Sequence, residues 1–584
     1  MTSSFLDRDY TISLKDAWKT YTDDQDKLIS PEETLKTVRE KFLRLKLSIL
    51  EETVRIDNGR LDIPVYFSVC GADAERLTGT RKQMGKGATP VQAETSAVME
   101  LVERYSFYHF AADPANFVID TWNNLKDRAM PLGMIAKSVH DASNDLEKTR
   151  KIFSDIPMKW TWGFNLTNGQ KTLVPFDWFF AINEFNGTSA GNCVEEALCQ
   201  GICEVVERHV SAVICREKRP VPGILPESAT DPAVQGLLAK YRKNDIRLYV
   251  SDFTLDMGIP TVGVMAIDPS TFPEKSEIVW TAGTTPNPDK AFSRALTETA
   301  QLGGDFNTGS NFVASGLPKF HRLDDARYVT HPDKQVRLSD LPDISHPNIR
   351  VEVENCLSAL SVREFDVITV ATTHPGLEIP AFYSMIPGAH FRERAAATSV
   401  GMFACKLITE KYPPETAVRK LSEIQKILPG TYYVPFYLGT CHLALEDAET
   451  AYRWFASARD LNPDHQDIPS IYSYMGVCLK ETGEYRNALA VLEKGAAIDP
   501  ERTDIYNLMG FCHFMLKEHE TAIRCFEQVI RLNPSSAIDY ANIASNYRDM
   551  GETDKAVAYY RIALGIDPGI EFARANLKRL KTKG

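Results

Sequence analysis

The sequence predicts a mixed α/β (α+β) core over residues 1–410, followed by an all-α helical-repeat solenoid over residues 432–584. Three observations carry that prediction. Short β-rich apolar runs alternate with helical stretches through the first 430 residues. From about residue 432 onward, prolines and small residues recur at a regular spacing. The composition is also that of a packed protein: 43% hydrophobic and 25% charged residues supply apolar surface for cores and argue against wholesale disorder.

The β-rich runs are IPVYFSV (63–69), IRLYVSD (246–252), IPTVGVMAI (259–267) and FDVITVA (365–371). Rich in Val, Ile, Tyr and Phe and separated by helical segments, they read as strands of a substantial sheet. No low-complexity stretch divides residues 1–410, so they are treated as one unit. Residues 411–431 connect it to the repeats, with a helix over 414–428 ended by Pro429-Gly430. Gly439, Gly476, Gly510 and Ala544 each sit 24 residues before Pro463, Pro500, Pro534 and Pro568, and the prolines step by 37, 34 and 34. That is the tetratricopeptide period with one short insertion. Repeats fall at about 432–465, 469–502, 503–536 and 537–570, with a capping helix near Glu571–Leu580. Small residues let paired helices approach, larger ones fill between repeats, and proline stops the second helix. Such a solenoid presents a concave face to a protein or peptide.

Several function classes are set aside early. The polar start, MTSSFLDRDYTISLKDAWKTY, lacks a signal-peptide apolar region, and no run of about 18 apolar residues occurs. The expectation is a cytoplasmic protein with no membrane contact. A net charge of -12 argues against direct nucleic-acid binding. The 11 cysteines include no CxxC pair, and several lie among apolar neighbours (Cys199, Cys203, Cys478, Cys512, Cys525). They read as reduced core thiols, because a zinc site wants paired close spacings. P-loop, Rossmann and kinase signatures are absent.

One pattern is written three times. Ser96, Glu100 and Glu103 are spaced i, i+4, i+7, with Arg104 beside them. Ser189 is followed by Glu196, Gln200, Glu204, Glu207 and Arg208; the four Glu and Gln positions span ~80° of a helical wheel. Arg294, Glu298 and Gln301 repeat the spacing. The first two segments echo each other at an offset of 104 residues, Gly87, Ala93, Glu100, Glu103 and Arg104 matching Gly191, Ala197, Glu204, Glu207 and Arg208. Any one such helix is explained as an amphipathic surface helix. Clustered carboxylates on several helices repel one another, and Mg²⁺, which prefers hard oxygen ligands, neutralises such a cluster. Mg²⁺ with adjacent arginines suits a triphosphate. Loops at the helix starts (Gly85–Thr89, Ser189–Asn192) would add backbone N–H groups. The expectation is an ATP–Mg²⁺ site built from helix faces.

At these residues the sequence resembles the YcaO family. SxxxExxER fits Ser96–Arg104, Sx6Ex3Qx3ExxER fits Ser189–Arg208, and Rx6Q fits Arg294–Gln301, with SPEET (30–34), GKGAT (85–89), VPFD (174–177), DFTLDMGIP (252–260) and IPG (386–388) around them. The resemblance covers residues 25–400. It implies a core that binds ATP and Mg²⁺ and activates a backbone amide: a nucleophile adds to the carbonyl, and the tetrahedral oxygen is phosphorylated and lost. It implies Glu100, Glu103, Glu204 and Glu207 as Mg²⁺ ligands. Ser96, Arg104, Ser189, Glu196, Gln200, Arg208, Arg294 and Gln301 become nucleotide contacts. No general acid or base is singled out.

The resemblance leaves three activities open. A thioamide or related sulfur-incorporating modification is the first, an accessory or scaffold role in ribosomal-protein methylthiolation the second, and azoline-forming cyclodehydration the third. Azoline-forming members typically end in a proline-rich tail, whereas here the chain runs past Ile386-Pro387-Gly388 into GMFACKLI and the repeats. Implied partners are a peptide or protein substrate, a second copy of the chain, and a protein on the concave face of the repeats, either a TfuA-like protein or a radical-SAM methylthiotransferase.

Overall fold

The computed structural model describes residues 5–7, 10–141, 143–307, 317, 320, 322–391, 399–533 and 536–583. Pro534, one of the repeat prolines, lies outside them. The chain forms two compact units, residues 1–142 with 154–398, and residues 143–153 with 399–584.

The first unit is an α/β core with three sheets. Leu50–Arg55, Val65–Cys70 and Lys82–Lys86 form an antiparallel three-stranded sheet. In the second sheet the order is Val279–Thr284, Thr261–Ile267, Arg247–Asp252, Gly223–Ile224 and Gln335–Val336, antiparallel except for the last pair. The third runs Val118–Asp120, Met158–Asn165, Ile368–Ala371, Ala381–Met385 and Thr188–Ala190, with Gln170–Pro175 also on Met158–Asn165. The runs expected as strands lie in these sheets. Thr261–Ile267 is buried at every position, which explains why IPTVGVMAI shows no in–out alternation.

Four helices of this unit carry or flank the motif residues: α1 (Pro90–Ala112), α2 (Val194–Glu217), α3 (Pro288–Gly303) and α4 (Ile349–Ser361). Their starts are encoded locally. Thr89 and Gln92 close a capping box on α1 with Pro90 in its first turn. Asn287 caps α3 ahead of Pro288, and Asn348 caps α4. On α2 the Cys193 side chain accepts from the Glu196 amide at 3.4 Å. The apolar face of α2 (Leu198, Ile202, Val205, Val206) is buried in a core with Phe253, Trp280, Val353 and Phe382.

The second unit is helical. Val400–Lys411 and Pro414–Ile427 precede the pairs Tyr433–Ala444/Ala448–Asp460, Ile468–Glu481/Tyr485–Ile498, Thr503–Met515/His519–Leu532 and Ala537–Asp549/Thr553–Ile566, and Glu571–Lys583 ends the array. The repeated small residues face the large residue of the partner helix. A Cβ on Gly476 would lie 2.5 Å from Leu492, and one on Gly510 would lie 2.7 Å from the Phe526 ring. No described helix is long and apolar enough to cross a membrane.

Candidate functional site

The three motif helices converge in the first unit around a cavity of about 200 Å³. Ser96, Glu100 and Glu103 of α1, Glu196 and Gln200 of α2 and Arg294 of α3 line it. The segment pattern has a structural reason. Gly87 and Gly191, equivalent in the 104-residue echo, each sit against the first turn of the following helix. An added Cβ would lie 2.7 Å from the Ala93 amide nitrogen at Gly87 and 2.6 Å from that of Ala197 at Gly191. The same close approach therefore launches α1 and α2, and each then carries a Glu-x-x-Glu-Arg ending.

At α1, the Glu103 carboxylate accepts from Thr188 Oγ1 at 2.6 Å, and Arg104 donates to the same hydroxyl at 3.0 Å. Arg104 lies 3.4 Å from Glu100 and 3.3 Å from Glu103, with its guanidinium 4.0 Å over the Phe185 ring. On α2, Arg208 reaches Glu204 at 3.8 Å, and Glu207 accepts the Thr284 amide at 3.0 Å. Arg294 donates to Gln200 at 3.1 Å and stands 3.7 Å from Glu207. Lys86 pairs with Glu298 at 2.6 Å.

The electrostatics are those of buried carboxyls set against nearby cations. Burial, opposed by Arg104 and reinforced by Glu204 and Glu100, pushes the Glu103 carboxyl up to about 8. Burial, opposed by Arg294 and reinforced by Glu298, pushes Glu207 up to about 7. Glu298 is buried too, but Lys86, Arg294 and Arg208 outweigh that and hold its carboxyl below the ordinary value. A divalent cation would displace the protons of carboxyls raised this far and pair with the carboxylates. Buried polar atoms are also left over beside the cluster: Ser189 Oγ and Gln301 Oε1 have no hydrogen-bond partner among the described residues. The carboxylate oxygens of Glu100, Glu103 and Glu196 and the Arg294 guanidinium around one cavity form a set of groups that suits a metal–polyphosphate ligand.

All twelve residues read from the motifs thus lie on α1, α2, α3 or the strand Thr188–Ala190. They differ in access. Ser96, Glu100, Glu103, Glu196, Gln200 and Arg294 line the cavity, whereas Arg104, Ser189, Glu204, Glu207, Arg208 and Gln301 are not among its lining residues. Glu196 is held by the N-terminal segment, with Lys27 3.4 Å away and the Leu28 amide donating at 3.1 Å, and by Asn192 ahead of α2, which donates at 3.2 Å. The expected loops at the helix starts are partly strand. Gly85 and Lys86 pair with Tyr66 and Val65, and Ser189 and Ala190 pair with Phe382 and Ala381, because each helix begins within four residues of a strand's end.

The motifs assign no role to Lys86, Glu298 or Asn192, nor to the cavity-lining Tyr21, Asp24 and Lys27. The i, i+4 spacing from Arg294 already marked Glu298, and Lys86 sits inside GKGAT. Nothing local marks Tyr21, Asp24 or Lys27, since only the chain path brings residues 21–34 over α1 and α2.

A family model described as YcaO cyclodehydratase, ATP- and Mg²⁺-binding, matches residues 84–390, and tetratricopeptide models match 503–536 and 540–570. An uncharacterised protein in the tfuA 3' region of Rhizobium leguminosarum bv. trifolii is 22% identical over 66% of this chain and 94% of its own. The ribosomal protein S12 methylthiotransferase accessory factor YcaO of Escherichia coli is 27% identical over 32% of this chain and 35% of its own length. A heterocyclase solved in complex with substrate and cofactor superposes with a TM-score of 0.55 at 22% identity, covering 65% of this chain and 55% of that one. With its three-helix carboxylate site inside the matched span and tetratricopeptide repeats beyond it, the chain belongs to the YcaO family, a family that binds ATP and Mg²⁺.

Proposed function

We infer that this protein uses ATP and Mg²⁺ to activate a backbone amide carbonyl in a peptide or protein substrate for sulfur incorporation, giving a thioamide or a related product. The observation that carries the reading is that Glu100 and Glu204 act electrostatically on the buried Glu103, and Glu298 on the buried Glu207, with Arg104, Arg208 and Arg294 beside them. Bound ATP would supply the phosphoryl group that turns a carbonyl oxygen into a leaving group. The chain's own part is to hold and orient. The four glutamates would take the metal. Arg294, kept in place by Gln200 and Glu207, would meet phosphate oxygens, and Ser96, Ser189, Glu196 and Gln301 would complete the nucleotide contacts. Arg104 and Arg208, each within ion-pair distance of a glutamate, would join Gln200 among the nucleotide contacts.

The Rhizobium relative is named for the tfuA 3' region, and thioamide-forming members of the family usually work with a TfuA-type partner, which favours the sulfur-incorporating branch. The repeats of the second unit support recruitment of a protein, either the substrate or a TfuA-like or methylthiotransferase partner. The name of the Escherichia coli relative favours a second reading, an accessory factor in which nucleotide binding is regulatory.

The test is ATP turnover by the full chain with candidate peptides and sulfide, with the peptide followed by mass spectrometry. Replacement of oxygen by sulfur supports the first reading, and loss of water marks azoline formation. ATP binding without turnover in any mixture supports the accessory reading. Unchanged ATP affinity in Glu204→Gln and Glu207→Gln removes the assignment of the site itself.

A further inference from the structure

Outside the carboxylate site, α2 carries a second cluster. Cys199 and Cys203 lie one turn apart on α2, and Cys356 comes from α4, which packs beside it. All three sulfurs lie within 4.8 Å of one another, and no other trio of His, Cys, Asp or Glu among the described residues comes together in this way. They are buried, at 8%, 3% and 0% exposure, in a core with Ile202, Val206, Val353 and Leu360.

Two ordinary explanations fall short of the arrangement. Isolated thiols in an apolar core pack against apolar neighbours, as Cys478 and Cys512 do in the second unit, whereas these three meet and hydrogen-bond one another. A disulfide uses two sulfurs. It cannot join Cys199 to Cys203, because Cβ atoms at i, i+4 on a helix stand about 5–6 Å apart while a disulfide needs about 3.5–4.5 Å. Any bridge to Cys356 would strand the third thiol.

Three thiolates about a small thiophilic cation do use all three. At a metal–sulfur distance of about 2.3 Å, sulfurs of such a site stand about 3.8–4.0 Å apart, inside the observed limit. Charge is also provided for. Arg294 acts electrostatically on Cys203, and Glu352, which acts on Cys199 and Cys356, is itself bonded to Lys19 at 2.6 Å.

We propose that Cys199, Cys203 and Cys356 form a buried trithiolate site for a thiophilic d¹⁰ cation, Zn²⁺ or Cu⁺, which ties α2 to α4. Binding forms three metal–sulfur bonds, releases three thiol protons to solvent and transfers no electron. The site is separate from the ATP–Mg²⁺ reading and stands or falls without it. Soft sulfur ligands select cations that the hard carboxylate cluster does not. Cys203 precedes Glu204 on α2, so occupancy would stiffen the helix that carries that cluster.

The experiment uses the full chain, purified from zinc-supplemented and from copper-supplemented medium. Metal content is read by mass spectrometry, and the chelator-stripped protein is titrated with Cd²⁺ and with Cu⁺ under reducing conditions. The expected result is about one thiol-bound cation per chain, a thiolate-to-metal charge-transfer band that saturates at that ratio, and release of close to three protons. The medium that fills the site distinguishes zinc from copper. Cys356→Ser and Cys199→Ser should each weaken binding at least about tenfold, while Cys478→Ser keeps it. No charge-transfer band in the wild type overturns the proposal, as does metal retained in both cluster variants. A mapped disulfide from Cys356 to Cys199 or Cys203 overturns it as well. If the cluster variants fail to fold, the wild-type stoichiometry and band still decide.

Discussion

Replacing Glu103 by Gln tests the electrostatics of the carboxylate cluster directly. The Glu103 carboxyl is pushed up to about 8 from an unfolded-state value near 4.5. A carboxyl raised in the folded state holds its proton there while the unfolded chain releases it. Its contribution to stability is therefore fully present below pH 4.5 and is lost as pH rises toward 8. Through that window the metal-free wild type should lose stability relative to Glu103→Gln by up to about 1.4 kcal/mol per pH unit, levelling off above the folded value. Gln has the shape of the protonated carboxyl and can still accept from Thr188 Oγ1, so the variant should fold as the wild type does. The assay is denaturant unfolding of both proteins in EDTA at pH 5.5, 6.5, 7.5 and 8.5, followed by tryptophan fluorescence. Trp454 is the one tryptophan outside the first unit, so the signal reports mainly on the core. Saturating Mg²⁺ and ATP should stabilise the wild type most at high pH and the variant little at any pH. Parallel curves in EDTA, with a constant gap between the two proteins, would refute the reasoning.

Arg294→Met removes the donor to Gln200 and a cation beside Glu207, and should weaken ATP affinity at least about tenfold, about 1.4 kcal/mol, by isothermal titration calorimetry. Lys86→Met strips Glu298 of its nearest cation and should raise that carboxyl toward the ordinary range, which ¹³C-detected titration of glutamate side chains would read. Gly191→Ala places a Cβ 2.6 Å from the Ala197 amide nitrogen and should cost about 1–3 kcal/mol in the unfolding free energy of the core. Gly510→Ala meets the edge of the Phe526 ring at 2.7 Å and should lower the melting of the helical signal from the second unit, leaving ATP affinity unchanged.

Much of this arrangement was legible along the chain because it is written in local periods. A helix repeats every 3.6 residues, so Ser96, Glu100 and Glu103 had to share a face, as did Glu196, Gln200, Glu204 and Glu207. The capping sequences Thr89-Pro90 and Asn287-Pro288 mark where those faces begin. The proline and small-residue spacing exposed the repeats for the same reason, each repeat being a unit of fixed length. Cavity access was not legible. Ser96 and Arg104 belong to one motif, yet Ser96 lines the cavity while Arg104 is turned to Thr188 and the Phe185 ring. The capture of the Thr284 amide by Glu207, and of the Leu28 amide by Glu196, joins positions far apart in sequence that no periodicity relates.

By itself, then, the sequence determined which residues share a helix face, how many carboxylates each face carries, and that a repeat array follows the core. These depend on near neighbours and on the geometry of a single helix. Only the tertiary structure decided which faces meet, because that follows from how Leu198, Ile202, Val205 and Val206 bury the other side of α2. The same burial leaves Glu103 and Glu207 short of solvent, and raises their carboxyls. It also brings Cys356 to Cys199 and Cys203, three thiols that read separately as core residues and together as a site.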